Sequence, residues 1–195
     1  MGCDIHIFAE VKKNGKWIKN TEKVFGPDWR NNYNEFPFDW RGYGMFGFFA
    51  DVRNYSRSPV LHEPKGLPSD SEFLNTPLSK EERFDYGYFN NGVARTEKEY
   101  ITKDADYHTH SYYTLKELLD YDYEIVFEDL RYTKVTKFPE GGMLSDGAAI
   151  AEPGDGNGTI TTMREFLGDG YFKELECLKL LGKPEDVRII FYFDN

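Results

Sequence analysis

Cysteine is nearly absent: the chain has two, Cys3 and Cys177. Two cysteines make no disulfide framework, and both thiols are expected to be reduced in a cytoplasmic protein. Long apolar runs are missing as well. No stretch approaches the roughly 18 consecutive apolar residues that a membrane helix needs, and no apolar leader opens the chain, so a soluble protein with no membrane partner is expected. Met1-Gly2-Cys3 invites a lipidation reading, but His6 stands where the myristoylation pattern wants Ser or Thr. Positive charge is also short. Lys and Arg number 24 against 34 Asp and Glu, for a formal net charge of −10. Duplex nucleic acid is held by clustered cations that neutralise phosphates, so a general nucleic-acid binder is excluded, whereas one or two local arginines can still hold a small anion.

Aromatic residues, by contrast, reach 17% and crowd between Trp29 and Phe49. Either a thick aromatic core or a stacking pocket accounts for them. A chain of 195 residues fits one domain with one core and buries roughly 70% of its unfolded surface.

The opening residues Met1 to Val11 organise the rest. With a period of two, Cys3, Ile5, Ile7, Ala9 and Val11 share an apolar face, and Asp4, His6, Phe8 and Glu10 share the other. A carboxylate and an imidazole side by side near the chain start look placed for a pocket, while Cys3 falls on the core face. Asn14-Gly15 takes positive φ readily, and Lys16-Trp-Ile-Lys19 resumes an extended pattern, so a β-hairpin is predicted with the Asp-x-His strand inside the sheet.

Beyond it, Asn20 to Trp40 reads as a long ordered loop, and Arg41 to Asn54 as a short buried helix loosened by glycines, with Arg53 and Asn54 at its C-terminal end. Four prolines between Ser58 and Pro77 exclude regular structure there. Ser79 can cap a helix from Lys80 to about Phe84, and Tyr86 to Ile101, with its Asn90-Asn91-Gly92 turn, predicts no element. The capping-box pattern Thr114-Leu-Lys-Glu117 predicts a helix from Leu115 to about Tyr121, putting His108, His110 and Ser111 in the preceding loop, a natural anion site. Tyr123 to Phe127 and Tyr132 to Phe138 read as strands, and Gly141 to Gly158 as loop. A second capping box, Thr162-Met-Arg-Glu165, opens a helical stretch interrupted by Gly168 and Gly170 and stopped by Gly182. Val187 to Phe193 is apolar enough for a central strand. The expected class is α+β: a single domain whose mixed or antiparallel sheet holds the N-terminal hairpin and the C-terminal strand, with a few short helices.

Three constellations bear on function. Asp4, His6, His108 and His110, with Cys3 or Asp106 as further donors, have the Asp-x-His and His-x-His spacings by which metallohydrolases hold a divalent ion. The Gly-Asn-His element of the metallophosphoesterases does not accompany them, so no cofactor is certain and a divalent metal stays one of two options. In a metal-free version His6 and His108 or His110 serve as base and acid on a phosphodiester, Asp4 orients an imidazole, and Arg41 or Arg53 holds the phosphate. The structural alternative is that His6 satisfies a buried hydrogen bond and His108 caps a helix. Pro153 to Arg164 looks like part of a calcium loop, but Pro153 and Arg164 occupy the positions of its two strongest ligands, which favours a Gly-rich turn. Trp40, Arg41, Tyr43, Arg53 and Asn54, with Ser111, offer rings, guanidinium groups and an amide of the kind a nucleotide pocket uses; ordinary core and surface explain them equally well.

Four stretches resemble, in order, a family of uncharacterised bacteriophage proteins: Met1-Gly-Cys-Asp-Ile-His6, Arg41-Gly-Tyr-Gly-Met-Phe-Gly-Phe-Phe-Ala-Asp-Val-Arg-Asn54, Glu63-Pro-Lys-Gly-Leu-Pro-Ser-Asp70, and Asp106-Tyr-His-Thr-His-Ser-Tyr-Tyr-Thr-Leu-Lys-Glu-Leu118. The resemblance implies a phage or prophage origin and hence the host cell cytoplasm. By analogy with small phage proteins that counter host signalling, the expected role is anti-defence. The leading expectation is a phosphodiesterase-type hydrolase of a cyclic nucleotide or ADP-ribose-like immune signal. The alternatives are a homo-oligomeric binding protein that sequesters such a signal, and a purely structural or interaction protein.

Overall fold

A computed structural model describes residues 2–26, 32–79, 95–131 and 159–194. It is α+β: an antiparallel sheet holding the N-terminal hairpin and the C-terminal strand, with short helices. Several expectations lie outside the described residues: the helix after Ser79, the Asn90-Asn91-Gly92 turn, the Tyr132–Phe138 strand, and the Gly141–Gly158 loop with most of the calcium-like segment; so does Trp29, where the aromatic crowding begins.

The hairpin forms as its turn chemistry dictates. Asn14 and Gly15 take φ of 52° and 79°, the twisted two-residue turn that joins β1 (Asp4–Lys13) to β2 (Lys16–Lys19). Strand β6 (Val187–Asp194) lies between β1 and β3 (His108–Thr114), giving the order β2-β1-β6-β3, antiparallel throughout. Its central place explains its nearly continuous apolar sequence: Ile189, Ile190, Phe191 and Phe193 are all fully buried.

The chain divides into two compact units. The first (residues 1–41, 63–121 and 169–195) holds the four-stranded sheet. On one face of it Phe8, Leu74, Ile101 and Ile190 form a core, with Phe36, Phe73, Tyr112 and Tyr192 packed against it. Further along that face Glu10 and Arg188 are cross-strand partners. Both are buried, and Arg188 Nε and Nη2 lie 2.8 and 2.7 Å from Glu10 Oε2. Ser71 donates to the other Glu10 oxygen, Arg188 Nη1 donates to Asp70 Oδ1 at 2.8 Å, and the guanidinium stacks 4.1 Å from the Trp17 ring centre. A buried pair so enclosed is tolerated because nearly every polar atom finds a partner.

Two short helices in this unit begin at threonine caps. Helix α2 (Glu97–Lys103) starts where Thr96 accepts from the Glu99 amide, so the stretch Tyr86 to Ile101 does hold an element; Thr96-Glu-Lys-Glu99 is itself a capping-box pattern. Helix α3 (Leu115–Asp120) begins at the expected Thr114–Glu117 box.

The second unit (residues 42–62 and 122–168) contains helix α1 (Tyr43–Ala50) and a two-stranded ribbon, β4 (Val126–Asp129) with β5 (Thr159–Thr162). The strand expected over Tyr123 to Phe127 thus starts later, because Tyr123 is a buried turn residue whose carbonyl accepts from Arg164. Helix α4 (Met163–Leu181) opens at the Thr162–Glu165 box and is broken at Gly168, whose φ of 73° is open to glycine. The units divide at that break. From Asp169 on, α4 buries Tyr171, Leu175 and Leu178, and Tyr171 stacks on Phe38 at 5.0 Å.

Candidate functional site

His6 lies on β1 directly across from Tyr192 of β6, and their rings stack at 4.9 Å and 12°. Tyr107 meets the imidazole edge-on at 5.2 Å. Two residues along β6, Asp194 places Oδ2 3.0 Å from His6 Nε2. A carboxylate only accepts, so Nε2 carries the hydrogen and Nδ1 is left with a lone pair in the neutral ring. Asp194 Oδ1 accepts the Asp4 amide at 3.1 Å, which fixes the carboxylate as well. The imidazole is thereby held by a ring on two sides and an acid on a third, with 38% of its side chain exposed.

Asp4 does not orient an imidazole, contrary to expectation. Its carboxylate takes a bidentate pair from Arg41, Nε at 2.7 Å and Nη2 at 2.5 Å, and that guanidinium holds it below the usual carboxylate range. Both side chains are about half exposed. Arg41 is therefore already engaged, and Gly2 packs against its guanidinium so closely that a Cβ would fall 2.9 Å from Nη1.

His108 and His110 require a second correction. They sit in strand β3 and not in a loop, and a register shift between His108 and Ser111, with Thr109 at φ 52°, sends them different ways. His108 stacks on Phe193 at 6.0 Å and bonds to Thr109 Oγ1, with Nε2 buried and unpartnered. Phe193 and Tyr192 point to opposite faces of the sheet, so His108 is on the face away from His6. His110 shares the His6 face but lies beyond Tyr192, 5.9 Å from its ring centre. Its Nε2 is 3.2 Å from the Ile101 carbonyl, and burial pulls its pKa below the usual histidine value. The four proposed ligands therefore do not converge. Among the described residues no three His, Cys, Asp or Glu side chains are grouped to hold a metal ion.

Most of the remaining candidates have structural work. Ser111 is buried and accepts the Lys65 amide at 3.1 Å. In the second unit Tyr43 packs on Phe46 and Tyr55, Arg53 donates to the Tyr55 hydroxyl at 3.1 Å, and Asn54 ties Asp51 to Ser58 against Gly47. Trp40 is 38% exposed.

A cavity of about 270 Å³ opens beside His6. Sheet residues Phe8 and Tyr192 and the rings of Phe36 and Phe73 make its walls, and Asp39 and Glu97 bring carboxylates to it. Lys19 lines it too. Its ammonium stands 4.3 Å from the Phe73 ring centre and 5.4 and 5.8 Å from those of Phe8 and Phe36, and no Asp or Glu pairs with it among the described residues. An ammonium held over rings with no carboxylate paired to it is a ready partner for an anion. Lys19 and Asp194 both escaped the sequence reading. The two-residue turn fixes Glu10 opposite Lys19, so Lys19 follows from the hairpin register, whereas Asp194 depends on a pairing that only the fold reveals.

No protein-family model, curated protein or solved structure matches the chain.

Proposed function

We propose that the His6 cavity binds a small phosphate-bearing, nucleotide-type molecule and that His6, oriented by Asp194, is the general base that hydrolyses its phosphoester. The carrying observation is the 3.0 Å Asp194–His6 contact beside a cavity that also holds Lys19, which pairs with no carboxylate among the described residues. A group that only binds has no need of an oriented imidazole. Phosphate suits Lys19, a flat base suits the Phe36 and Phe73 rings, and amino or hydroxyl groups suit Asp39 and Glu97. In the step itself, Nδ1 takes a proton from water as the water oxygen bonds to phosphorus. The phosphorus–oxygen bond to the leaving group breaks, and the imidazolium returns the proton to that oxygen.

The lone imidazole in the cavity also favours a second reading, in which the protein captures the nucleotide intact as a homo-oligomer. In either case the resemblance of the opening residues to phage proteins supports an anti-defence role, with a host nucleotide signal as ligand. The test is incubation with a panel of cyclic nucleotides and ADP-ribose derivatives, followed by heating to release what is bound. Altered products that vanish in His6→Ala support hydrolysis, and intact ligand returned on heating supports capture. Turnover unchanged in His6→Ala removes the catalytic assignment, and no depletion of any nucleotide removes both readings.

A further inference from the structure

A further cavity in the first unit, about 870 Å³, shares Phe36 and Asp39 with the His6 cavity, so these two residues form a wall common to both. Its remaining surface differs in kind. Trp40 and Tyr33 present exposed rings, at 38% and 53%, and among the described lining residues the acids Asp39, Glu174 and Glu176 outnumber the cation Lys173, with Glu176 paired to Lys179 at 2.5 Å. Glu174 is committed to the wall: it accepts the Gly26 amide at 2.9 Å and the Phe38 amide at 3.2 Å, and so fixes the ends of the segment that carries Phe36. Rings beside an excess of carboxylate repel phosphate and welcome a flat neutral or cationic ring. The His6 cavity also holds Asp39 and Glu97, but its Lys19 is paired with no carboxylate among the described residues and supplies a local cation for phosphate, and its volume falls just under the roughly 300–1,000 Å³ of drug-sized sites, which leaves room for one nucleoside phosphate.

From these two juxtaposed cavities we infer that the ligand is a two-ring nucleotide, with its phosphate and first base in the His6 cavity and a second base stacked at Trp40 and Tyr33. This rests on the nucleotide reading given above and specifies its substrate class. Extra phosphate adds nothing to affinity, because the second cavity is acidic. A second base adds the stacking of one ring, about tenfold in affinity.

The experiment titrates the full chain by calorimetry with AMP, with ATP, and with a phosphorothioate-linked dinucleoside monophosphate of adenosine, which resists hydrolysis. The dinucleoside is expected to bind about tenfold tighter than AMP, and ATP no tighter. Trp40→Ala and, separately, Tyr33→Ala, both surface changes, each reduce that advantage and leave AMP binding as it was. Equal affinity for AMP and the dinucleoside, or an advantage untouched in both variants, overturns the inference while the single-nucleotide site stands. Binding of none of the three overturns the nucleotide reading and the inference with it.

Discussion

Asp194 and His6, 188 residues apart in the chain, meet at 3.0 Å across adjacent strands. The carboxylate dictates which imidazole nitrogen keeps its hydrogen, and the free nitrogen becomes the one able to take a proton. Removing either partner should act on the chemical step more than on binding. His6→Ala is expected to lower kcat by about 10²–10⁴-fold with KM changed little. Asp194→Asn, whose single amide oxygen cannot both accept the Asp4 amide and orient the ring and which carries no charge, should lower kcat in the same direction. Steady-state kinetics on any nucleotide found to be turned over check this, and a loss confined to KM would contradict it.

Lys19 should act on binding. Lys19→Met keeps the apolar stem against Phe8 and Phe73 but deletes the ammonium. Affinity for a nucleoside phosphate is expected to fall about ten- to a hundredfold, the range for a hydrogen bond to a charged group, with nucleoside affinity unchanged. Paired titrations with adenosine and AMP distinguish a phosphate contact from a packing role, which would weaken both.

His110 supplies a pH dependence of stability. Burial, opposed by the Ile101 carbonyl and aided by His108, depresses its pKa in the folded chain. The folded state therefore binds this proton less readily than the unfolded state. Its stabilising contribution is fully present above the ordinary value of about 6.5 and is lost as pH falls through the lower folded value. Urea midpoints measured from about pH 7 down to about pH 5 should decline, and His110→Gln, which retains a donor for Ile101, should decline less.

The Glu10–Arg188 pair makes a sharper demand. Arg188→Met leaves Glu10 fully buried without its cation and should cost roughly 3–5 kcal/mol of unfolding free energy, whereas Glu10→Leu with Arg188→Met recovers most of it. Chemical denaturation of the two variants decides, and equal losses would mean that the pair is not what stabilises this end of the sheet.

Asn54 serves as a control on the sequence reading that put it in a pocket. Its side chain takes hydrogen bonds from the Ser58 amide and hydroxyl and donates to the Ser58 carbonyl and Asp51. Asn54→Ala should cost roughly 1–3 kcal/mol of stability and leave nucleotide affinity alone.

Local chemistry explains what could be read in advance. Asn14-Gly15, the Thr114–Glu117 and Thr162–Glu165 boxes and the apolar run at Val187 each act within a few residues, and each element formed where those signals stand. Failure came where distant pairing overrides local pattern. The positive φ of Thr109 breaks the alternation of β3, so His108 and His110 looked like loop residues, and the partner of His6 is Asp194 because β6 and not a nearer segment lies beside β1. Helix α2 was missed for another reason: its cap is legible, but the surrounding aromatic and polar residues hide any apolar stripe.

Strand β6 follows every other described element in the chain yet fills the slot between β1 and β3. On a ribosome the hairpin emerges long before its neighbour and, as two strands alone, is only marginally stable. The imidazole of His6 and the acid that governs it thus come together only at the final closure, a long loop that must shut before any of its contacts are rewarded. Assembly of the sheet and assembly of the His6–Asp194 pair are one event, so a chain halted short of β6 would carry the histidine without the acid that orients it.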